Sequence, residues 1–434
     1  MFKFHEMERI ALQKLIEWKK KKNRKPLIIQ GARQVGKTWL MNEFGKKAFK
    51  KQVYINFESS KRLKNIFESD FNIERIISIF EIEAGTKIDT STLIILDEIQ
   101  EAEKGITALK YFYEKAPQHF VMAAGSNLGV SLQKNNSFPV GKVDLMTLYP
   151  LTFEEFLINH NEELLSKYLF ENSWKIIFPF HEKLVELLRT YYFIGGMPEA
   201  VNSFLEYKDF KKVRIIQRNI LSGYENDFAK HAPLEIVAKI KIVWNSIVSQ
   251  LSKENKKFIY GHLKKGARAK EFENAINWLL QSGLVYKSYR VSKPGIPLKA
   301  YAEEDNFKLY VLDIGLLNAM ADVDEKILLQ KNKIMVEFKG AMTEQFVAQE
   351  LKIEHELFYW STEKASSELD FLIQKKNHVV PIEVKAELNL KAKSLKVYLE
   401  NFSPVNAIRT SMNFYRKEKH LINMPLYAIG KINL

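Results

Sequence analysis

Apolar side chains recur at helical spacing over residues 8 to 18, where Ile10, Leu12, Leu15, Ile16 and Trp18 predict one apolar helix face; the pattern ends in the basic run Lys19 to Lys25. Short continuous apolar runs then appear at Pro26-Leu27-Ile28-Ile29-Gln30, Gln52-Val53-Tyr54-Ile55-Asn56-Phe57, Thr92-Leu93-Ile94-Ile95-Leu96 and Phe120-Val121-Met122-Ala123-Ala124. Runs this short that do not alternate suit strands covered on both faces. Longer helical patterns lie between them, so the first third of the chain predicts an α/β fold, a parallel sheet with helices on both faces.

From about residue 153 to 250 the strand signals stop and helical patterns take over, broken by Gly195-Gly196-Met197-Pro198. Residues 253 to 313 then read as helix, turn, helix and hairpin. Phe258-Ile259-Tyr260, a turn at Gly266, a helix from Phe272 to Leu280, and the strands Leu284-Val285-Tyr286 and Lys308-Leu309-Tyr310-Val311 give the outline of a winged helix. Beyond about 330 a helix precedes two strands and further mixed structure. A length of 434 residues accommodates about three domains of roughly 150 residues. The expected boundaries are 1–157 for the nucleotide-binding domain, 158–235 for a helical region, 236–325 for the winged helix and 326–434 for a C-terminal α/β domain. No repeat of 20 to 50 residues is evident.

Composition changes this picture in two ways. The chain has no cysteine, which removes disulfides, thiolate catalysis and Cys-based zinc sites. Its 66 Lys and Arg against 52 Asp and Glu give a formal net charge of +14, which favours polyanionic partners but is also what a lysine-rich solubilising surface looks like. Met1-Phe2-Lys3-Phe4-His5-Glu6 has no apolar core of the signal-peptide kind, and no stretch approaches the roughly 18 apolar residues of a membrane span. A cytoplasmic protein without a membrane partner is expected.

The chemistry concentrates first in Gly31-Ala32-Arg33-Gln34-Val35-Gly36-Lys37-Thr38, a G-x-x-x-x-G-K-[ST] loop between an apolar strand and a helical pattern. The glycines let backbone N–H groups turn inward around phosphate oxygens while the next helix offers its N-terminus to the same anion. ATP is the expected cofactor, with Lys37 on the β- and γ-phosphates and the Thr38 hydroxyl on Mg²⁺. Magnesium keeps mostly water and phosphate ligands and needs a carboxylate to hold that shell. Asp97, at the end of Leu93-Ile94-Ile95-Leu96, supplies it, and Glu98 is placed to polarise the attacking water. The alternative for Asp97-Glu98 is a pair capping the following helix. After the fourth strand, Ser126, with Asn127 in reserve, is the candidate to sit between the γ-phosphate and that water, although Gly-Ser-Asn is also an ordinary turn.

A second constellation lies near the C-terminus. Glu368-Leu369-Asp370-Phe371-Leu372-Ile373 and Val379-Val380-Pro381-Ile382-Glu383-Val384-Lys385 flank a polar turn. If Lys376-Asn377 is a two-residue turn, Asp370 falls directly opposite Glu383, with Cβ atoms roughly 5 Å apart. Glu383 and Lys385 share that face, and Leu369, Phe371, Ile382 and Val384 take the other. Such carboxylates suit one divalent ion, with Lys385 steadying an attacking water and Glu344, in the helical stretch from Gly340, completing the metal set. The competing reading is a solvated hairpin with surface ion pairs. Lys264, Lys265, Arg268 and Lys270 would give the winged helix a contact for DNA, or a packing surface only.

The Gly-Ala-Arg-Gln-Val-Gly-Lys-Thr loop, Tyr54 to Glu58, Leu96-Asp97-Glu98-Ile99-Gln100, Gly125-Ser126, Leu148 to Phe156, Gly195 to Ala200 and Phe307 to Asp313 together resemble prokaryotic AAA-type ATPases that carry a C-terminal domain of unknown function. The resemblance spans almost the whole chain. It implies an AAA core, a helical region, a winged helix and a nuclease-like end; the order Glu344, Asp370, Glu383-x-Lys385 resembles the PD-(D/E)XK nucleases, without their proline before the Asp. Relatives often have Gly-Arg where this chain has Gly141-Lys142, and lysine lacks the planar fork with which arginine clasps phosphate. Two functions are thereby expected. One is an ATPase whose nucleotide state governs a Mg²⁺-dependent nuclease-like domain acting on nucleic acid, with a homo-oligomer left open. The other is an ATP-dependent switch or assembly protein whose C-terminal domain binds without cutting.

Overall fold

The structure, a computed structural model, describes residues 7–125, 128, 138–253, 256–326, 336–363, 367–386 and 393–432. It divides into two compact units, one of Arg9–Tyr149 with Gln281–Gly283 and the other of Met1–Glu8, Pro150–Leu280 and Leu284–Leu434. Among the described residues no helix is long and apolar enough to cross a membrane.

The first unit is built of α1 (Ala11–Lys20), β1 (Leu27–Gln30), α2 (Lys37–Ala48), β2 (Lys51–Asn56), α3 (Ile73–Ala84), β3 (Thr92–Asp97), α4 (Gly105–Lys115), β4 (Phe120–Ala124) and β5 (Asp144–Thr147). The sheet order is β2-β3-β4-β1-β5, and every neighbouring pair is parallel. The four apolar runs are β1 to β4, and Leu93, Ile94, Ile95 and Leu96 are fully buried, as continuous apolar strands between two helical layers require. β5 has no such run. Its side chains alternate between half-buried and exposed, and it lies at the sheet edge, held by parallel pairing of Leu27–Gln30 with Asp144–Thr147. In α1, Leu15 and Trp18 carry the buried face, and the Trp18 indole N–H donates to the Lys25 carbonyl at 2.9 Å.

The second unit opens with seven helices: α5 (Phe153–Asn159), α6 (Glu163–Phe170), α7 (Trp174–Ile177), α8 (His181–Ile194), α9 (Pro198–Tyr207), α10 (Phe210–His231) and α11 (Leu234–Leu251). Then come α12 (Ala269–Gln281), β6 (Val285–Val291), β7 (Ala302–Val311), α13 (Ile314–Met320), α14 (Val336–Lys352), β8 (Leu357–Ser361), β9 (Glu368–Lys375), β10 (His378–Val384), α15 (Lys393–Phe402), β11 (Ala407–Ser411), β12 (Arg416–Glu418) and β13 (Leu421–Pro425). The strands form one mixed sheet in the order β12-β13-β11-β10-β9-β8-β6-β7. The antiparallel hairpin β6–β7 falls where the sequence predicts a wing, and β6 also pairs in parallel with β8.

Sequence segments far apart meet in this unit around buried carboxylates. Asp313, fully buried, accepts from the Gly196 N–H at 2.6 Å and the Leu316 N–H at 3.0 Å, and a Cβ at Gly195 (φ 72°) would collide with it. Burial pushes the Asp313 carboxyl up to about 6 against the pull of those N–H donors. On α14, Gln345 bridges the Val311 N–H and carbonyl, Gln349 accepts from the Ile314 N–H at 2.8 Å, and Glu350 accepts from the Phe153 N–H at 3.0 Å. The glycine pair, the segment after Leu151 and the end of β7 are thus fixed by polar side chains in a dry interior, where each unmade bond would cost about 1–3 kcal/mol.

Burial, reinforced by Glu154 and Glu155, pushes the Glu350 carboxyl up to about 8. A group whose folded-state pKa is raised contributes stability that is full below its ordinary pKa and is lost as pH rises through the folded value. The wild-type protein is therefore expected to lose stability between about pH 4.5 and 8, and Glu350→Gln to lose less. Thermal melts at pH 5 and pH 8 check this. The variant should gain at least about 2–4 °C relative to wild type on going to pH 8, and parallel pH profiles would show that Glu350 ionises freely.

Candidate functional site

β1 delivers the chain into the loop Gly31–Gly36, and its backbone takes forms that few side chains tolerate: Gly31 at φ 146°, Gln34 at 66° and Gly36 at 93°. A Cβ at Gly31 would strike the Leu148 carbonyl oxygen, so glycine is required there by a close backbone approach. Gly36 caps α2 in a left-handed conformation with no side-chain cap, which leaves the helix N-terminus open to an anion. The buried Arg9 guanidinium donates to the Val35 carbonyl at 3.1 Å and the Tyr149 carbonyl at 2.7 Å, tying the loop to the segment after β5.

Lys37 is buried and its ammonium donates to the Gly31 carbonyl at 3.0 Å and the Ala32 carbonyl at 2.8 Å. Burial draws its pKa down to about 8, against the nearby Glu98 and Asp97 carboxylates. The Thr38 hydroxyl lies 2.7 Å from Asp97 Oδ2, which also accepts from the Tyr54 phenol at 2.8 Å. A hydroxyl and a carboxylate in contact at the mouth of an anion-binding loop are the donor set that a hydrated divalent cation beside phosphate requires, and the residues fit Mg²⁺. Glu98 follows in a left-handed conformation (φ 51°), with its Oε2 accepting from Gln100 Nε2 at 2.5 Å. The Gln100 side chain also packs so close to Gly125 that a Cβ there would collide with it. Ser126 and Asn127 lie outside the described residues. Lys142 is paired with Glu114 at 2.9 Å. Arg9 lies outside every motif, and Tyr54 and Gln100, though inside segments that carry the family resemblance, were given no role in this site by the sequence.

In the second unit the β9–β10 ladder pairs Lys375 with His378 through Phe371 with Ile382, so Lys376-Asn377 is a two-residue turn with Lys376 at φ 51°. Continuing that ladder by one pair brings Asp370 opposite Glu383, and Asp370 Oδ2 accepts from the Val384 N–H at 2.7 Å. Lys385 pairs with Glu383 Oε1 at 2.7 Å, while Glu383 Oε2 is buried with no hydrogen-bond partner among the described residues. Glu344, buried on α14, is engaged otherwise. Lys308 reaches its Oε1 at 3.0 Å, the Tyr310 phenol donates to the same oxygen, and Lys256 pairs with Oε2. Lys308, wholly buried, also pairs with Glu368 at 2.6 Å.

These charges set one another. Burial opposes ionisation of Glu344, but Lys256 and Lys308 hold its carboxyl well below the usual range. Burial and the charges of Glu344 and Glu383 push Asp370 far up, and burial pushes Glu383 up against the pull of Lys385. Four carboxylates thus face three ammonium groups. Among the described residues no group of three or more His, Asp or Glu is arranged to hold a metal ion. The lysines, far away in sequence from Glu344, take up the carboxylate that the sequence assigns to a metal. Lys264, Lys265, Arg268 and Lys270 are all exposed, ahead of and within the first turn of α12, whereas Phe272 and Trp278 are buried on its inner face.

Residues 23–157 match the AAA domain family, residues 185–327 a domain of unknown function (DUF8612), and residues 339–428 another domain of unknown function (DUF4143). The parallel five-stranded sheet, the phosphate loop and the first match together define an AAA-type P-loop ATPase domain. Among solved structures, the chain is similar to a Walker-type ATPase of Pyrococcus abyssi, with 14% identity over 73% of this chain and 96% of that one and a TM-score of 0.45. It is also similar to the ORC1 protein of Aeropyrum pernix, solved in complex with DNA (14% identity, 75% and 95% covered, TM-score 0.31), and to Cdc6p from Pyrobaculum aerophilum (11%, 74% and 94%, 0.25). No curated protein matches the chain.

Replacing Lys308 by methionine keeps much of the side-chain volume but leaves the buried Glu344 with Lys256 alone as its countercharge and takes a partner from the partly exposed Glu368. Breaking a buried pair in this way costs about 3–5 kcal/mol. Urea denaturation of Lys308→Met should show a loss of that size, and a loss below about 1 kcal/mol would mean that the pairs contribute no more than exposed ones do.

Proposed function

We propose that this chain binds ATP with Mg²⁺ in the Gly31–Thr38 loop and hydrolyses it, with Glu98 as the base. The observation that carries this reading is the Thr38–Asp97 contact of 2.7 Å at the mouth of the loop. Backbone N–H groups of the loop and the N-terminus of α2 receive the phosphates, and Lys37 exchanges its two carbonyl partners for phosphate oxygens. Thr38 and Asp97 would hold Mg²⁺, which would supply charge neutralisation at the phosphate oxygens. Glu98 takes the proton of the attacking water, and Gln100 fixes the carboxylate that does so.

For the second unit, the engagement of Glu344 by Lys256, Lys308 and Tyr310 favours a binding role for the C-terminal centre over cleavage. The Glu383 charge acts on Asp370, and the Glu383 oxygen without a hydrogen-bond partner among the described residues is the feature that supports the nuclease reading. Nucleic acid is the proposed partner on the strength of the +14 net charge and the exposed basic side chains leading into α12. Cations at a helix N-terminus gain nothing from the helix dipole, so the charges of Arg268 and Lys270 are not favoured there by the helix itself.

Lys37→Ala is expected to abolish binding of ATP in a nucleotide titration while the protein still folds, as read by a cooperative thermal melt. Glu98→Gln should bind normally and turn over ATP about 10²–10⁴-fold more slowly; normal turnover would place the base elsewhere.

Purified protein is expected to bind DNA with an affinity that falls steeply with salt, and charge reversal at Lys265 and Arg268 should weaken it. It should not nick plasmid DNA with Mg²⁺ or Mn²⁺, with or without ATP. Nicking that Asp370→Ala abolishes and Lys385→Ala impairs would instead establish the nuclease.

A further inference from the structure

The geometry points to Tyr54 as a positioning residue for Asp97, and through Asp97 for the divalent cation that accompanies the nucleotide. The inference rests on the Mg²⁺-ATP reading above and adds to it a residue on β2 that belongs to neither the phosphate loop nor the acidic strand end.

The register of β2 on β3 sets Tyr54 beside Ile95 and Asn56 beside Asp97. Tyr54 and Asn56, two apart on one strand, share a face, so the phenol reaches diagonally across to the carboxylate, a separation that long side chains span. The Tyr54 hydroxyl donates to Asp97 Oδ2 at 2.8 Å. Asn56 Nδ2 lies 3.2 Å from the same phenol oxygen and donates to it. A phenol has a single proton, and a donor on its lone pairs directs that proton toward the remaining partner. Asn56 is anchored in turn, because its Oδ1 accepts from the backbone N–H groups of Glu58 at 2.9 Å and Ser59 at 3.1 Å. A continuous chain therefore runs from the turn after β2, through Asn56 and Tyr54, to the oxygen that Thr38 also contacts.

Core packing does not explain a tyrosine here. Tyr54 is 37% exposed, toward the carboxyl end of β2, and its hydroxyl bonds to Asp97 and Asn56. Groups that hold a metal ligand by hydrogen bonding fix its orientation, and their loss typically lowers metal affinity about 10–100-fold.

The test compares wild type with Tyr54→Phe, which removes the hydroxyl and keeps the ring. Binding of a fluorescent ATP analogue is titrated at increasing Mg²⁺ and again in EDTA, with turnover measured in parallel. The expected result is a half-saturating Mg²⁺ concentration raised about tenfold, with affinity in EDTA, turnover at saturating Mg²⁺ and the thermal melt unchanged. Asn56→Ala, which frees the phenol proton without removing it, should shift Mg²⁺ dependence in the same direction by less. Unshifted Mg²⁺ dependence in Tyr54→Phe overturns the inference. So does an equal loss of affinity with and without Mg²⁺, which would mean that Tyr54 touches the nucleotide itself. A wild-type protein that binds no nucleotide at all would remove the ATP reading and the inference together, whereas a binding wild type beside an unshifted variant removes the inference alone.

Discussion

The contact between Thr38 and Asp97 joins side chains 59 residues apart and depends on strand order. β1 and β3 are both parallel neighbours of β4, so their carboxyl ends stand two strand spacings apart, roughly 10 Å, with the end of β4 between them. That gap is spanned only because the loop after β1 curls back over the sheet before α2 begins, which is what the positive φ angles of Gly31, Gln34 and Gly36 accomplish. Arg9 holds the outer side of the loop and Gln100 the neighbouring glutamate, so the nucleotide site is braced from elements on both sides of β4.

The second unit follows a different constraint, the cost of charge in a dry interior. Glu344 and Glu383 are buried there and Glu368 and Asp370 partly so, and Lys256, Lys308 and Lys385 pair with three of these four. Burial and the charges of Glu344 and Glu383 push the Asp370 carboxyl well above its ordinary value.

The residues that sequence reveals well are those whose signal is local. β1 to β4 are continuous apolar runs, and the phosphate loop is defined by glycine spacing, so both could be read directly. The two-residue turn at Lys376-Asn377 was legible because apolar positions alternate on both sides of it, which fixes register. β5 was not legible, since Asp144–Thr147 has no apolar run and is a strand only because β1 pairs with it. Arg9, Tyr54 and Gln100 escaped for a related reason: their partners are backbone carbonyls and carboxylates reached through tertiary folding. Likewise Lys256 and Lys308 lie 88 and 36 residues from Glu344, and nothing in their neighbourhood marks them as its partners.

The parallel pairing of β6 with β8 has a consequence for how this chain could be taken apart or have been put together. The regions matched by the two families of unknown function each contribute strands to a single sheet, β6 and β7 from one and β8 to β13 from the other. Separating them between residues 327 and 339 would strip β6 and β8 of their shared hydrogen bonds and leave each fragment with a raw edge, a template for pairing with other copies. Truncation at the seam between the two families would therefore expose edges on which other copies could pair.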